Sequence, residues 1–251
     1  MEDSKQILAM YSELAENPEK DFGWDKGLDN AKAHGYSSEW MNALPSEIWD
    51  YCAAVGNPFS LGEINEGETV VDLGCGAGVD LLVSALKVGE SGRAIGVDIT
   101  PKMVEKSRYH AALAGFHNVQ VFQSSFDNID IEDESADVVI SNGAINLTAC
   151  KESVFSEIHR VLKPNGKAYI TTPNSKKTIA RNPWHHKEYN YTEINTLIKN
   201  SFVNYSVDGI QGNKKTDIYY LKNKQSVEQI LRFDVFKIQY KMPAILLKIP
   251  Y

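Results

Sequence analysis

The run Thr69-Val70-Val71-Asp72-Leu73-Gly74-Cys75-Gly76-Ala77-Gly78 decides the fold. Its first half is a short β-rich segment, and its second half is a turn carrying three glycines. A helix-like stretch follows from about Val79 to Val88, until Gly89 and the Ser91-Gly92 pair break it. Glycines in a strand-to-helix turn let the backbone pass close to a ligand and present amides at a helix N-terminus. Strand, glycine turn and helix together open a β-α-β unit.

The same alternation continues along the chain. Ala94–Asp98 reads as a second strand, and Thr100-Pro101 starts a helix with threonine as N-cap and proline at its first position. That helix runs to Gly115, a C-cap residue. Val119–Phe122 and Ala136–Ser141 are the third and fourth strands, the latter largely apolar as a buried parallel strand should be. A helix from Glu152 to Leu162, a Lys163-Pro164-Asn165-Gly166 turn and a strand Lys167–Thr172 complete the pattern. The expected fold is α/β and doubly wound, a Rossmann-like parallel sheet whose ligands sit at the strands' carboxyl ends. Residues 1–60 are expected to form a helical, aromatic-rich lid, 61–175 the ligand-binding core, and 176–251 a C-terminal part that completes the sheet and caps the substrate. That last part is read as one helix (Tyr191–Asn200), two strands (Phe202–Gly209 and Thr216–Leu221) and a basic amphipathic end.

Two details select the ligand. A dinucleotide fingerprint wants glycine or alanine three residues after its second glycine, where this chain has Val79. The more physical detail is Asp72, two residues before Gly74. A carboxylate there repels a pyrophosphate and attracts an ammonium or sulfonium. S-adenosylmethionine carries both cations and no phosphate. Asp98 ends the second strand 24 residues after Gly74, near the spacing at which an acid accepts hydrogen bonds from a ribose diol. Such a ribose belongs to NAD and S-adenosylmethionine alike, so Asp98 supports an adenosine ligand without choosing between them.

These segments resemble the class I methyltransferase family: Asp72–Gly78, Gly96-Val97-Asp98 and Arg160-Val161-Leu162-Lys163-Pro164-Asn165-Gly166 stand in its order and spacing. Within it, residues 56–172 are most similar to arsenite methyltransferases and their relatives, through Gly56-Asn57-Pro58, Gly92–Met103 and Ser141–Leu147. The resemblance implies that Gly74, Gly76 and Gly78 pass under the cofactor's methionine part and that Asp72 holds its amino end. It implies that Asp98 takes the ribose, that Ile99 packs on the adenine, and that Asn142 lies near the methyl group. Where relatives read the adenine amino group with an acid, this chain has Ser125, followed by Phe126 and Asp127; Ser125 or a backbone group is left to supply the contact. Of the cysteines that relatives use for arsenic, Cys52 remains but cannot make a three-sulfur site alone. Val55 stands before Gly56, Gly143 follows Asn142, and no cysteine follows Cys150. Trivalent arsenic prefers soft thiolates, so arsenic is not the expected substrate.

Candidates for proton handling lie in Asn182–Tyr189, where His185, His186 and Glu188 resemble a run in many small-molecule methyltransferases. An imidazole with its ordinary pKa near 6.5 can take a proton from a hydroxyl or amine, with Glu188 orienting it. Against this stands a capping and packing role for the same residues, and methyl transfer also runs on alignment alone. The expected function is S-adenosylmethionine-dependent methylation of a small molecule at oxygen, nitrogen or sulfur. The rivals are a nicotinamide-dependent oxidoreductase and a non-catalytic cofactor-binding or interaction protein.

Composition sets the outer limits. A net charge of −7 argues against a duplex nucleic-acid surface. Three scattered cysteines form neither a disulfide framework nor a CxxC metal site, so no metal is expected and a reduced, cytoplasmic setting fits. The acidic N-terminus lacks an apolar core for a signal peptide, and no apolar run approaches a bilayer span. The basic C-terminal stretch around Lys237, Lys241 and Lys248 is read as a docked element or a homodimer contact rather than a membrane-surface helix.

Overall fold

The structure, a computed structural model, describes residues 2–175 and 187–209. Its centre is a five-stranded, wholly parallel sheet in the order β3-β2-β1-β4-β5. The strands are β1 (Thr69–Leu73), β2 (Arg93–Asp98), β3 (Val119–Gln123), β4 (Ala136–Asn142) and β5 (Leu162–Thr171). Ahead of them lie α1 (Glu2–Glu16), α2 (Leu28–Ala33), α3 (Ser38–Ala43) and two 3-10 turns, Ser46–Tyr51 and Pro58–Ser60. Helices α4 (Val79–Val88), α5 (Pro101–Leu113) and α6 (Lys151–Val161) make the crossovers, and α7 (Tyr191–Lys199) follows.

Alternation along each strand divides the core between two faces. Val71, Leu73, Ile95, Val97 and Val139 pack with α6 and with Leu197 of α7. On the other side Val70, Val138 and Ile140 meet Val88 of α4, while Ala94 and Val121 meet Leu81 and Val104 of α4 and α5. The strand order reverses between β1 and β4, so the switch point lies beside the glycine turn. The N-terminal aromatics pack edge-to-face, Tyr36 against Trp40, Trp49 and Phe59, over Leu82 and Val83 of α4.

Two expectations change. The Lys163–Gly166 turn lies within β5, because Leu162 already pairs with Ala136 and Lys167 then pairs with Val138. The chain loops out between them, with Asn165 at φ 68° and the Lys163 ammonium on Asp137 at 2.8 Å. Phe202–Gly209 is not a strand. The Phe202 amide donates to the Ile198 carbonyl at 2.9 Å and its ring packs on Phe155, while Val203 is 96% exposed. That stretch finds no ladder among the described residues. The expected strand Thr216–Leu221 and the basic C-terminal stretch lie outside the described residues. Among the described residues no helix is long and apolar enough to cross a membrane.

Candidate functional site

The glycine turn leaves β1 through three left-handed residues, Gly74 (φ 82°), Gly76 (φ 52°) and Gly78 (φ 100°). A Cβ on Gly74 would stand 2.2 Å from the Ala144 Cβ, and one on Gly78 would stand 2.7 Å from the Ser107 Oγ. These two glycines let neighbouring elements close up. At Gly76 a Cβ would meet nothing within 4 Å. Its open side faces a cavity of about 390 Å³ at the carboxyl ends of the strands, which Gly76 helps to line.

Of the expected cofactor residues, Asp72, Gly74, Gly76, Asp98, Ile99, Ser125, Phe126 and Asn142 all line this cavity. Gly78 does not; it caps α4 and packs on α5. Asp98 works within the protein as well, because its Oδ2 accepts from the Gly76 amide at 2.9 Å and its Oδ1 from the Thr100 amide at 2.8 Å. Thr100 is the N-cap of α5, but its side chain makes no cap bond. Burial pushes the Asp98 carboxyl up, and the amides of Thr100, Gly76 and Ile99 partly offset this.

Asp72 is the exceptional group. It is 2% exposed, and its Oδ2 has no hydrogen-bond partner. Burial first, then the carboxylates of Asp80 and Asp98, pushes its pKa well above the usual range. An unpaired carboxylate oxygen in such a place either carries a proton or awaits a cation. Among the described residues the cavity is lined by four aspartates, 72, 80, 98 and 127, and by no lysine, arginine or histidine. Its chemistry is that of a cation seat.

Several site residues escaped the reading of the sequence. Asp80, in the first turn of α4, accepts from the Tyr36 hydroxyl at 2.6 Å and from Asn142 Nδ2 at 3.0 Å. Burial raises its pKa, and those two donors oppose the shift. The Asn142 amide also donates to the Gly56 carbonyl at 3.0 Å and accepts from the Val55 amide at 3.2 Å and Thr171 at 2.6 Å. Asn142 therefore ties the N-terminal segment to α4, β4 and β5. The signal for Asp80 was an acid in a helix whose other first-turn residues are apolar; such an acid needs a buried partner. Tyr11 of α1 lines the cavity too, and burial, then the Asp98 carboxylate, keeps its hydroxyl protonated. Asp127 also faces the cavity and accepts a hydrogen bond from the Ser125 hydroxyl. An acid thus stands two residues beyond Ser125 on the cavity wall.

His185 and His186 lie outside the described residues. Glu188 is partly buried ahead of α7 and does not line the cavity. The capping of α7 falls to Asn190 and Glu193, which form a reciprocal capping box. Cys52, Cys75 and Cys150 are unpaired and all line the cavity. Burial, then Asp80, pushes the Cys52 thiol up to about 12, and burial first also pushes the Cys75 thiol well above its ordinary range, so both stay protonated. Among the described residues no group of three His, Cys, Asp or Glu is arranged to hold a metal ion.

The family description "Methyltransferase domain" matches residues 64–234. The chain belongs to this methyltransferase-domain family. It is similar to an arsenite methyltransferase of Halobacterium salinarum, 35% identical over 184 residues that cover 68% of this chain and 47% of that protein. Another arsenite methyltransferase, from Aquipseudomonas alcaligenes, is 33% identical over 56% of this chain and 43% of its own length. The chain thus spans about half the length of these curated relatives. Among solved structures it is similar to an arsenic(III) S-adenosylmethionine methyltransferase from Chlamydomonas reinhardtii, with TM-score 0.60, 26% identity, and coverage of 73% of this chain and 68% of that one. A S-adenosylmethionine-dependent methyltransferase from Aquifex aeolicus shares the fold, with TM-score 0.55, 20% identity, and coverage of 71% and 89%.

Proposed function

We propose that this protein is an S-adenosylmethionine-dependent methyltransferase acting on a small-molecule acceptor through oxygen, nitrogen or sulfur. The observation that carries this is the buried, unpaired Asp72 Oδ2 in a cavity lined by carboxylates. The donor set suits a ligand with an ammonium and a sulfonium. It disfavours the pyrophosphate that the nicotinamide reading requires. Asp72 faces the cofactor's cationic end, Gly76 gives its backbone room, Asp98 takes the ribose, and Ile99 and Phe126 flank the adenine. The Ser125–Asp127 pair supplies the polar contact at the adenine edge. Bound there, S-adenosylmethionine would supply an electrophilic methyl to the acceptor's lone pair, the S–CH3 bonding electrons staying with sulfur. An O–H or N–H acceptor also loses a proton; His185 and His186 are the proposed carriers, with Glu188 orienting the imidazole. The division at residues 60 and 175, the absence of nucleic acid as a substrate, a homodimer contact through the C-terminal stretch and a cytoplasmic setting belong to the same proposal.

A metalloid acceptor is the second reading, favoured by the names of the relatives. Against it stands the contact between Val55 and Gly143, where a Cβ on the glycine would meet both Val55 methyls at 3.1 Å. An isopropyl group fills the place where soft thiolates are expected, and the buried Cys52 and Cys75 thiols are held in their protonated form. Calorimetric titration with S-adenosylmethionine, S-adenosylhomocysteine and NAD tests the cofactor. Transfer of labelled methyl to metabolite extracts, run beside arsenite with a thiol, tests the acceptor. Binding of NAD alone refutes the proposal. Methylated arsenic as the sole product refutes the acceptor class, and cofactor binding with no transfer to any acceptor favours the non-catalytic rival.

A further inference from the structure

The glycine turn is clamped residue by residue. Gly74 and Cys75 donate to the Val97 carbonyl at 2.8 and 3.1 Å, and Gly76 donates to Asp98. The carbonyl of Ala77, which also lines the cavity, lies 2.7 Å from Nδ1 of His110 on α5. His110 is 0% exposed. A carbonyl only accepts, so the proton of the neutral ring sits on Nδ1. Its Nε2 has no hydrogen-bond partner among the described residues, with a Glu47 oxygen at 3.9 Å and the Tyr51 ring edge-on at 5.1 Å between centroids. A ring buried this deeply, with one committed nitrogen and one bare one, is poorly explained by packing alone.

We infer that His110 is a positioning residue for the methyl-transfer site: its Nδ1–H fixes the Ala77 peptide and so holds the glycine turn in the shape that receives the cofactor. The inference rests on the proposed cofactor. The charged and titratable groups around the ring are Glu47 and Tyr51 of the 3-10 turn and Lys106 and Tyr109 of α5. Burial first, then Lys106, holds the imidazole below its ordinary pKa, against the Ala77 carbonyl and Glu47. Acid forces a second N–H onto the ring where no acceptor lies within bonding distance; the Nδ1–H bond to Ala77 persists, but the new N–H draws the ring toward Glu47, 3.9 Å away, and so pulls on the clamp as pH falls below the ordinary histidine range.

The test compares wild type with His110→Asn, whose amide nitrogen mimics Nδ1 without titrating, and His110→Leu, which keeps bulk and loses the donor. S-adenosylhomocysteine is the probe for the pH profile, because without the sulfonium it responds less to Asp72, and the response left to its ammonium is common to wild type and variant. At neutral pH His110→Leu should bind S-adenosylmethionine about three- to tenfold more weakly, the worth of one neutral hydrogen bond. His110→Asn should lie within about twofold of wild type. On acidification the wild-type affinity for S-adenosylhomocysteine should fall more steeply than that of His110→Asn, in which the contribution of Asp72 is unchanged; this arm stands even where His110→Leu fails to fold. Wild-type-like binding by folded His110→Leu overturns the inference and leaves the cofactor reading intact. Parallel pH profiles for wild type and His110→Asn overturn it as well. Failure of the wild type to bind either nucleoside overturns the cofactor reading, and this inference with it.

Discussion

Replacing Asp72 by asparagine should weaken S-adenosylmethionine binding and at the same time stabilise the cofactor-free protein. Asp72 is 2% exposed with an unpaired oxygen, and burial, Asp80 and Asp98 all raise its pKa. Two unit charges about 4–6 Å apart attract by about 3–4 kcal/mol at an effective dielectric near 20. Part of that attraction is consumed in ionising a carboxyl that the fold prefers neutral. A net loss of about 1–2 kcal/mol, roughly five- to thirtyfold in affinity, is expected for Asp72→Asn at pH near 8. The loss for S-adenosylhomocysteine should be smaller, since it brings no sulfonium. The sign of the pH dependence follows. Below its folded pKa Asp72 holds a proton that S-adenosylmethionine must expel, so affinity rises with pH by at most about tenfold per unit, then levels off. Calorimetry in two buffers of different ionisation heat counts that proton directly. Stability runs the other way. A folded pKa above the unfolded one means that the protein without cofactor loses stability as pH rises from the ordinary aspartate range, about 3.9, to the folded pKa. Asp72→Asn removes that loss and should melt higher than wild type near neutral pH. Unchanged affinity in the variant, or no proton released by wild type on binding at any pH above the ordinary aspartate range, refutes the reasoning.

Other substitutions probe the frame around the site. Gly74→Ala meets the Ala144 Cβ at 2.2 Å from a backbone at φ 82°, and should cost about 2–4 kcal/mol in denaturant unfolding. Tyr36→Phe removes the hydroxyl that bonds Asp80 and Asn142, leaving a buried carboxylate short of a donor; a loss of about 1–3 kcal/mol in chemical denaturation is expected. Phe155→Ala, at a side chain 1% exposed between β-sheet and α6, should cost about 3–5 kcal/mol and lower the melting temperature with little change in relative affinity for the two nucleosides.

The strands and crossover helices were legible because their signals are local. Thr69–Leu73 and Val79–Val88 occur at the expected bounds, since β-branched runs, glycine breaks and helical periodicity need no distant information. Phe202–Gly209 misled because an alternating pattern describes a strand only where another strand offers a ladder. Leu162 joined β5 early through pairing with Ala136, a contact that the turn residues alone do not reveal. The carboxylate and the glycines of the site could be read from spacing. The Asp80 cluster could not, because its partners are 44 and 62 positions away in the chain. His110 looked like any residue of an amphipathic helix until the fold brought Ala77 to its ring.

The closeness of Val55 to Gly143 sets the height of the roof. The missing side chain at 143 lets the segment around residue 55 settle onto the end of β4, where Asn142 fastens it. Even one carbon at that position would act as a shim beneath the roof, and the depth left for an acceptor beside the glycine turn would change with it.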